Sequence, residues 1–221
     1  MEKLQNELKK EFQLERMILF SDAVFAIAIT LLAIEIKVPE IHEANITEWQ
    51  LTQSLLRMIP KFIGFFISFF IIGLYWTIHH RMFGFVVDYN QRLLWLNLLF
   101  LLAIALMPFS TAFYSEYVST FLRSPIIIYV LNICFLGFMN FFLWKYISNP
   151  KHRLSSGLSR PVADYFAFRA IMIPIIFVFM TLVYLVAGPK YAIWIPLFIP
   201  LIMRLVTSRH KKRIVMLQKK D

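Results

Sequence analysis

The sequence predicts an all-α, multi-pass membrane protein with six transmembrane helices and both termini in the cytoplasm, and three observations point there. Of the 221 residues, 59% are hydrophobic and 16% charged, with a mean hydropathy of +0.66, too little polar surface to wrap a soluble core of this size. The apolar residues come in runs of about 20 or more, the length a helix needs to cross roughly 30 Å of hydrocarbon. Lys and Arg collect in alternate connections between those runs, which sets an orientation. The same pattern accounts for the net charge of +10 without nucleic acid, because the bases flank apolar runs and form no face.

Residues 1–15 are a charged lead with Leu4, Leu8, Phe12 and Leu14 near helical spacing, expected as a short cytoplasmic helix. The first span, Arg16 to Pro39, covers about 33 Å at 1.5 Å per residue and stops at a proline. It exceeds a signal-peptide core and no small-residue cleavage site follows, so it is expected to insert itself. Glu40, Glu43 and Glu48, with few bases around them, predict an outer loop over 40–52. The second span, 56–79, tolerates Pro60 near its start and ends at Trp76, His79, His80 and Arg81. The third, 93–114, opens near Asn97 and is expected to kink at Pro108. The fourth, 125–147, leads into a basic linker, and the fifth, 165–187, contains Pro174. A sixth span to residue 206 completes one domain over 16–206, and a basic cytoplasmic tail occupies 207–221. With the amino terminus inside, eighteen of the 23 Lys and Arg lie on the inner side.

Three polar groups then share a depth near the inner leaflet: Asp22, His79 or its neighbour His80, and Asn97. Each costs several kcal/mol if buried unpaired. A hydrogen-bonded tie between helices answers that cost, and direct ion or proton handling is the other reading. Metal binding is not expected, since adjacent histidines point about 100° apart on a helix and no H-E-x-x-H spacing occurs. Neither is an enzyme, for want of a nucleophile elbow or paired intramembrane aspartates. Six scattered glycines exclude a phosphate-cradling loop and a TVGYG-type carbonyl filter. The single cysteine, Cys134, excludes an intrachain disulfide and reads as a packing residue.

On the first span, steps of about 100° place Ala23, Ile27, Thr30 and Ile34 on one stripe with Leu31 at its edge. Asp22, Ala26, Ile29 and Ala33 fall on another, small enough to admit a close helix neighbour. Periodicity leaves the first stripe open between ordinary packing and a pore lining. In a pore, an apolar ring gates by dewetting and a threonine offers oxygen to a partly dehydrated cation. One copy of the helix cannot enclose a pore, so that reading requires an oligomer.

The block R-x-x-x-F-S-D at Arg16, Phe20, Ser21 and Asp22, continuing as AVFAIAITLLAIEI, resembles the first helix of the transmembrane protein 175 family, the endolysosomal potassium channels and their prokaryotic relatives. Trp76, His79, Arg81 and Phe83, and NLLFLLAIALMPF from Asn97 to Phe109, extend the resemblance through the third span. It implies a passive potassium-permeable channel of the cell membrane, with protons as a second permeant ion, no carbonyl filter and no cofactor. The implied constriction is Ile27, five residues after the motif aspartate, with Thr30 facing the pore one turn on and Ala23, Leu31 and Ile34 lining it. Asp22, His79 and Asn97, joined by Trp76, are implied as an interhelical hydrogen-bond network. Animal members carry two six-helix repeats per chain; the motif occurs once here, which implies a homotetramer around a central pore within the lipid bilayer. Ala26 replaces a serine found in some animal repeats. A proton-coupled secondary transporter using Asp22 and His79 is the alternative from another class, and a scaffold that moves no ions is a third.

Overall fold

The computed structural model describes residues 2–39, 47–120 and 122–187. Within them the helices are α1 (Glu2–Ile34), α2 (Glu48–Arg57), α3 (Ile59–Phe83), α4 (Gln91–Ala105), α5 (Met107–Tyr117), α6 (Arg123–Ile147) and α7 (Arg160–Ala187). Five stretches of the described residues are long and apolar enough to cross a membrane: Glu7–Ile34, Glu48–Phe83, Gln91–Tyr117, Arg123–Ile147 and Arg160–Val186. The expected sixth span and the tail 207–221 lie outside the described residues.

The lead and the first span form one uninterrupted helix, since nothing between Glu2 and Ile34 breaks the backbone ladder. The loop expected over 40–52 is corrected at its far end, because α2 begins at Glu48. A capping box starts it: the Thr47 hydroxyl accepts from Gln50 N at 3.3 Å, and Gln50 Oε1 accepts from Thr47 N at 2.9 Å. Met58 joins α2 to α3, and Pro60 sits in the first turn of α3, where a missing N–H costs nothing.

The third span breaks between α4 and α5 at Leu106, two residues before Pro108. A broken helix in hydrocarbon must find other partners for its freed backbone groups. Asn132 of α6 supplies them when its amide nitrogen faces Ala103 O and its oxygen faces Met107 N, both at 3.3 Å, with Ser110 Oγ at 3.1 Å. Nearby, Thr111 donates to Ser68 at 2.7 Å and Ser68 pairs with the Tyr129 hydroxyl at 2.9 Å, stitching α5, α3 and α6.

Pro174 plays the same part in α7. It has no N–H for Ala170 O, and the Tyr75 hydroxyl of α3 donates to that carbonyl instead, at 3.3 Å. Gly137 of α6 faces Pro174, and a Cβ there would overlap its ring.

Packing follows a simple order: α1 lies against α3, α4 and α5, then α4 and α5 against α6, then α6 against α7. The start of α1, the α3–α4 loop and the α6–α7 loop share one end. Lys10 pairs with Asp88 at 2.8 Å, Val87 N donates to Leu154 O and Ser156 N to Phe85 O, both at 2.9 Å. At the other end Lys61 pairs with Glu116 at 2.6 Å.

Candidate functional site

Which way α1 faces decides what its stripes can do. Its buried face is the ladder Met17, Ser21, Phe25, Ala28 and Leu32, at i+4 and i+3 steps, with Ser21 at 0% exposure and Phe25 at 1%. The small-residue stripe is not the packing face: Asp22 and Ile29 are half-buried, and Ala26 and Ala33 are exposed. Phe25 is too large for a narrow helix contact and instead fills space beside Phe100 and His79, with ring centroids 5.9 and 5.6 Å away.

The polar residues make two separate ties. In the first, His79 Nε2 lies 2.9 Å from Asn97 Oδ1, Asn97 Nδ2 donates to Ser21 Oγ at 2.9 Å, and Ser21 Oγ donates to Met17 O at 2.8 Å. His79, Asn97 and Ser21 are all buried. Because the Asn97 nitrogen is committed to Ser21, its oxygen must accept, so His79 carries its proton on Nε2. His79 Nδ1 is buried without a partner, and the ring is stacked between Phe83 at 4.2 Å and Phe100 at 5.4 Å. The sequence of donors therefore runs one way, from α3 through α4 into α1, and ends on a backbone carbonyl.

In the second tie, Trp76 Nε1 donates to Asp22 Oδ1 at 2.9 Å, and the Trp76 ring lies 5.7 Å from that of His80. So the structure brings together Asp22 with Trp76, and His79 with Asn97. Among the described residues, no hydrogen bond joins the two pairs. Ser21, named in sequence only as part of the motif, is the residue that anchors α1 to Asn97.

Both ties fix the rotation of α1 and turn its opposite face out of the chain. Ala23 and Thr30 are exposed, Ile27 at 58%, Leu31 at 40% and Ile34 at 67%. Arg16 and the 53%-exposed Phe20 fall on the same i+4 and i+3 ladder, so the outward stripe continues back through the motif. The Arg16 guanidinium is drawn back over the Phe12 ring, 5.9 Å from its centroid. The Thr30 hydroxyl donates within its own helix, to Ile27 O at 2.9 Å and Ala26 O at 3.1 Å. Its proton is thus spent on the backbone, and its oxygen remains an acceptor.

Comparison with known proteins places these features in a family. The family described as endosomal/lysosomal potassium channel TMEM175 matches residues 16–108, which hold both ties and the whole outward stripe. A potassium channel of Streptomyces collinus is 33% identical over 146 residues, covering 65% of this chain and 69% of that one. A potassium channel of Chamaesiphon minutus is 40% identical over 111 residues, half of this chain, which thus spans only 54% of that relative. Among solved structures, the crystal structure of a lysosomal potassium-selective channel TMEM175 homologue from Chamaesiphon minutus superposes with a TM-score of 0.70 at 26% identity, over 90% of this chain and 98% of that one.

Proposed function

We propose that this chain, which belongs to the TMEM175 family, is a potassium-permeable channel whose pore is enclosed by the α1 helices of four copies, with Ile27 at its constriction. The observation that carries the reading is the locked rotation of α1. Two hydrogen-bonded ties hold one face in the bundle and leave Ala23, Ile27, Thr30 and Ile34 facing outward. Around a fourfold axis that stripe becomes a set of rings, and only such an assembly closes a pore.

A ring of isoleucines has no oxygen with which to replace an ion's water. It acts as a dewetting barrier, and an ion that sheds its water readily crosses it more easily. Potassium holds its shell less tightly than sodium, so partial dehydration at Ile27 favours it. One turn on, the Thr30 lone pairs accept the part-stripped ion. When the constriction is wet, a file of waters also carries protons.

The transporter alternative finds less support. A proton carried between Asp22 and His79 would need a chain of groups that gain and lose protons, but Asp22 is bonded to an indole N–H and His79 to an amide. Neither partner relays a proton.

Purified chain in liposomes under a potassium gradient, with no proton gradient, tests the reading. Passive potassium flux that ceases at the potassium equilibrium potential is expected. Flux that appears only when a proton gradient is imposed contradicts it.

A further inference from the structure

Arg169 lies nine residues into α7, a helix apolar enough to cross a membrane, so its charge needs a partner or a route to the surface. Among the described residues no carboxylate pairs with it. Its guanidinium carbon instead sits 5.8 Å over the ring of Tyr165, one turn back toward the start of the helix. The side chain thus runs along its own helix toward the membrane surface. Tyr165 meets Phe166 edge-on with centroids 5.1 Å apart, and Arg81, in the last turn of α3, covers Phe166 at 5.3 Å. Trp144 of α6 stacks on the same ring at 4.8 Å.

An aromatic platform linking three helix ends therefore carries two guanidinium ions. Arg81 is exposed. Asp164, next to Tyr165, stands 4.0 Å from Lys145. Two donors of the platform, Nε of Arg169 and Nε1 of Trp144, are buried with no acceptor. Among the described residues neither guanidinium is matched by a carboxylate, and guanidinium forks fit phosphate oxygens two at a time. Its place, at the mouth of membrane-crossing helices, puts it at headgroup level.

We propose that Arg81 and Arg169, held over Phe166 and Tyr165, bind the phosphate of an anionic phospholipid in the leaflet at this end of the bundle. Bases near a charged bilayer surface each shift lipid affinity by roughly fivefold. The full chain is reconstituted with equal phosphatidylcholine and phosphatidylglycerol, extracted gently and weighed by native mass spectrometry for retained lipid. Selective retention of phosphatidylglycerol is expected, reduced roughly fivefold by Arg81→Gln and further by adding Arg169→Gln. Arg123→Gln, at the far end of α6, leaves it unchanged. Because Arg81 is exposed, its substitution reads the site even where Arg169→Gln fails to fold. Equal retention of the two lipids, or undiminished selectivity in Arg81→Gln, overturns the proposal. So does displacement of the lipid by inorganic phosphate, which makes the ligand a free anion.

Discussion

Asn97 stands between a donor and an acceptor, taking the Nε2–H of His79 and giving an N–H to Ser21. Asn97→Leu strands both neighbours in a buried setting and is expected to destabilise the folded chain by about 1–3 kcal/mol. A double-mutant cycle with Ser21→Ala, followed by steric-trap or denaturant unfolding in detergent, should return a coupling of roughly 0.6–1.7 kcal/mol. A coupling near zero would mean that the tie does not hold α1. Ile27→Asn, in contrast, alters a side chain that is 58% exposed. It is expected to leave stability unchanged and raise passive potassium flux severalfold in liposomes, because an amide wets the ring. Much of this was legible before the fold was known: the depth shared by Asp22, His79 and Asn97 was plain from their places in the spans. What was missed was the partner on α1. Asp22 carries a charge, whereas Ser21 sits on the apolar ladder Met17, Phe25, Ala28 and Leu32. A lone hydroxyl on an otherwise apolar ladder was the available signal, and a charge beside it obscured it.

Among the described residues, Pro108 and Pro174 each interrupt the backbone ladder of a membrane-spanning stretch, and a neighbouring helix supplies a hydrogen-bond partner at both places. Pro174 frees Ala170 O for Tyr75, and Gly137 lets α6 approach that point. Gly137→Ala is expected to destabilise by about 1–3 kcal/mol because the rigid Pro174 ring cannot step aside. Gly73→Ala, with open space around the added methyl, should have little effect, and thermal unfolding of the two variants side by side decides. If both shift equally, the α6–α7 contact is looser than described. The five spans within the described residues and the break near Pro108 could be read from apolar run length and proline alone. The helix Glu48–Arg57 could not be read from charge: Glu48, taken with Glu40 and Glu43, suggested a loop, while the helix start is set by Thr47 and Gln50, a pair that only the capping-box spacing reveals. Nor did composition identify the inward stripe of α1: packing against α3, α4 and α5 chose the ladder Met17, Ser21, Phe25, Ala28 and Leu32, and neither of the two stripes that periodicity suggests.

At the scale of the whole molecule, α1 is tied at its start to the α3–α4 loop. Lys10 beside Asp88 holds that carboxyl below the usual aspartate range, which the backbone N–H of Tyr89 assists. A folded pKa depressed below the unfolded one means the tie is complete above about pH 4 and is lost as pH falls through the folded value. Hydrogen exchange in the first turns of α1 should therefore be flat from pH 7 to 5, after correction for intrinsic rates, and quicken below pH 4, with Asp88→Asn loosened throughout. A pH step between 7 and 5 would assign the tie elsewhere. Four copies per assembly are expected by native mass spectrometry, since a stripe of one helix cannot line a closed path. The pore itself is tested most directly by placing a cysteine at Ile27 in a Cys134→Ala background, where no other thiol remains. A small water-soluble thiol reagent should then abolish potassium flux through Ile27→Cys and leave the background chain, and Ile29→Cys on a half-buried face, conducting. Flux that persists after Ile27→Cys is fully modified would place the ion path somewhere other than α1.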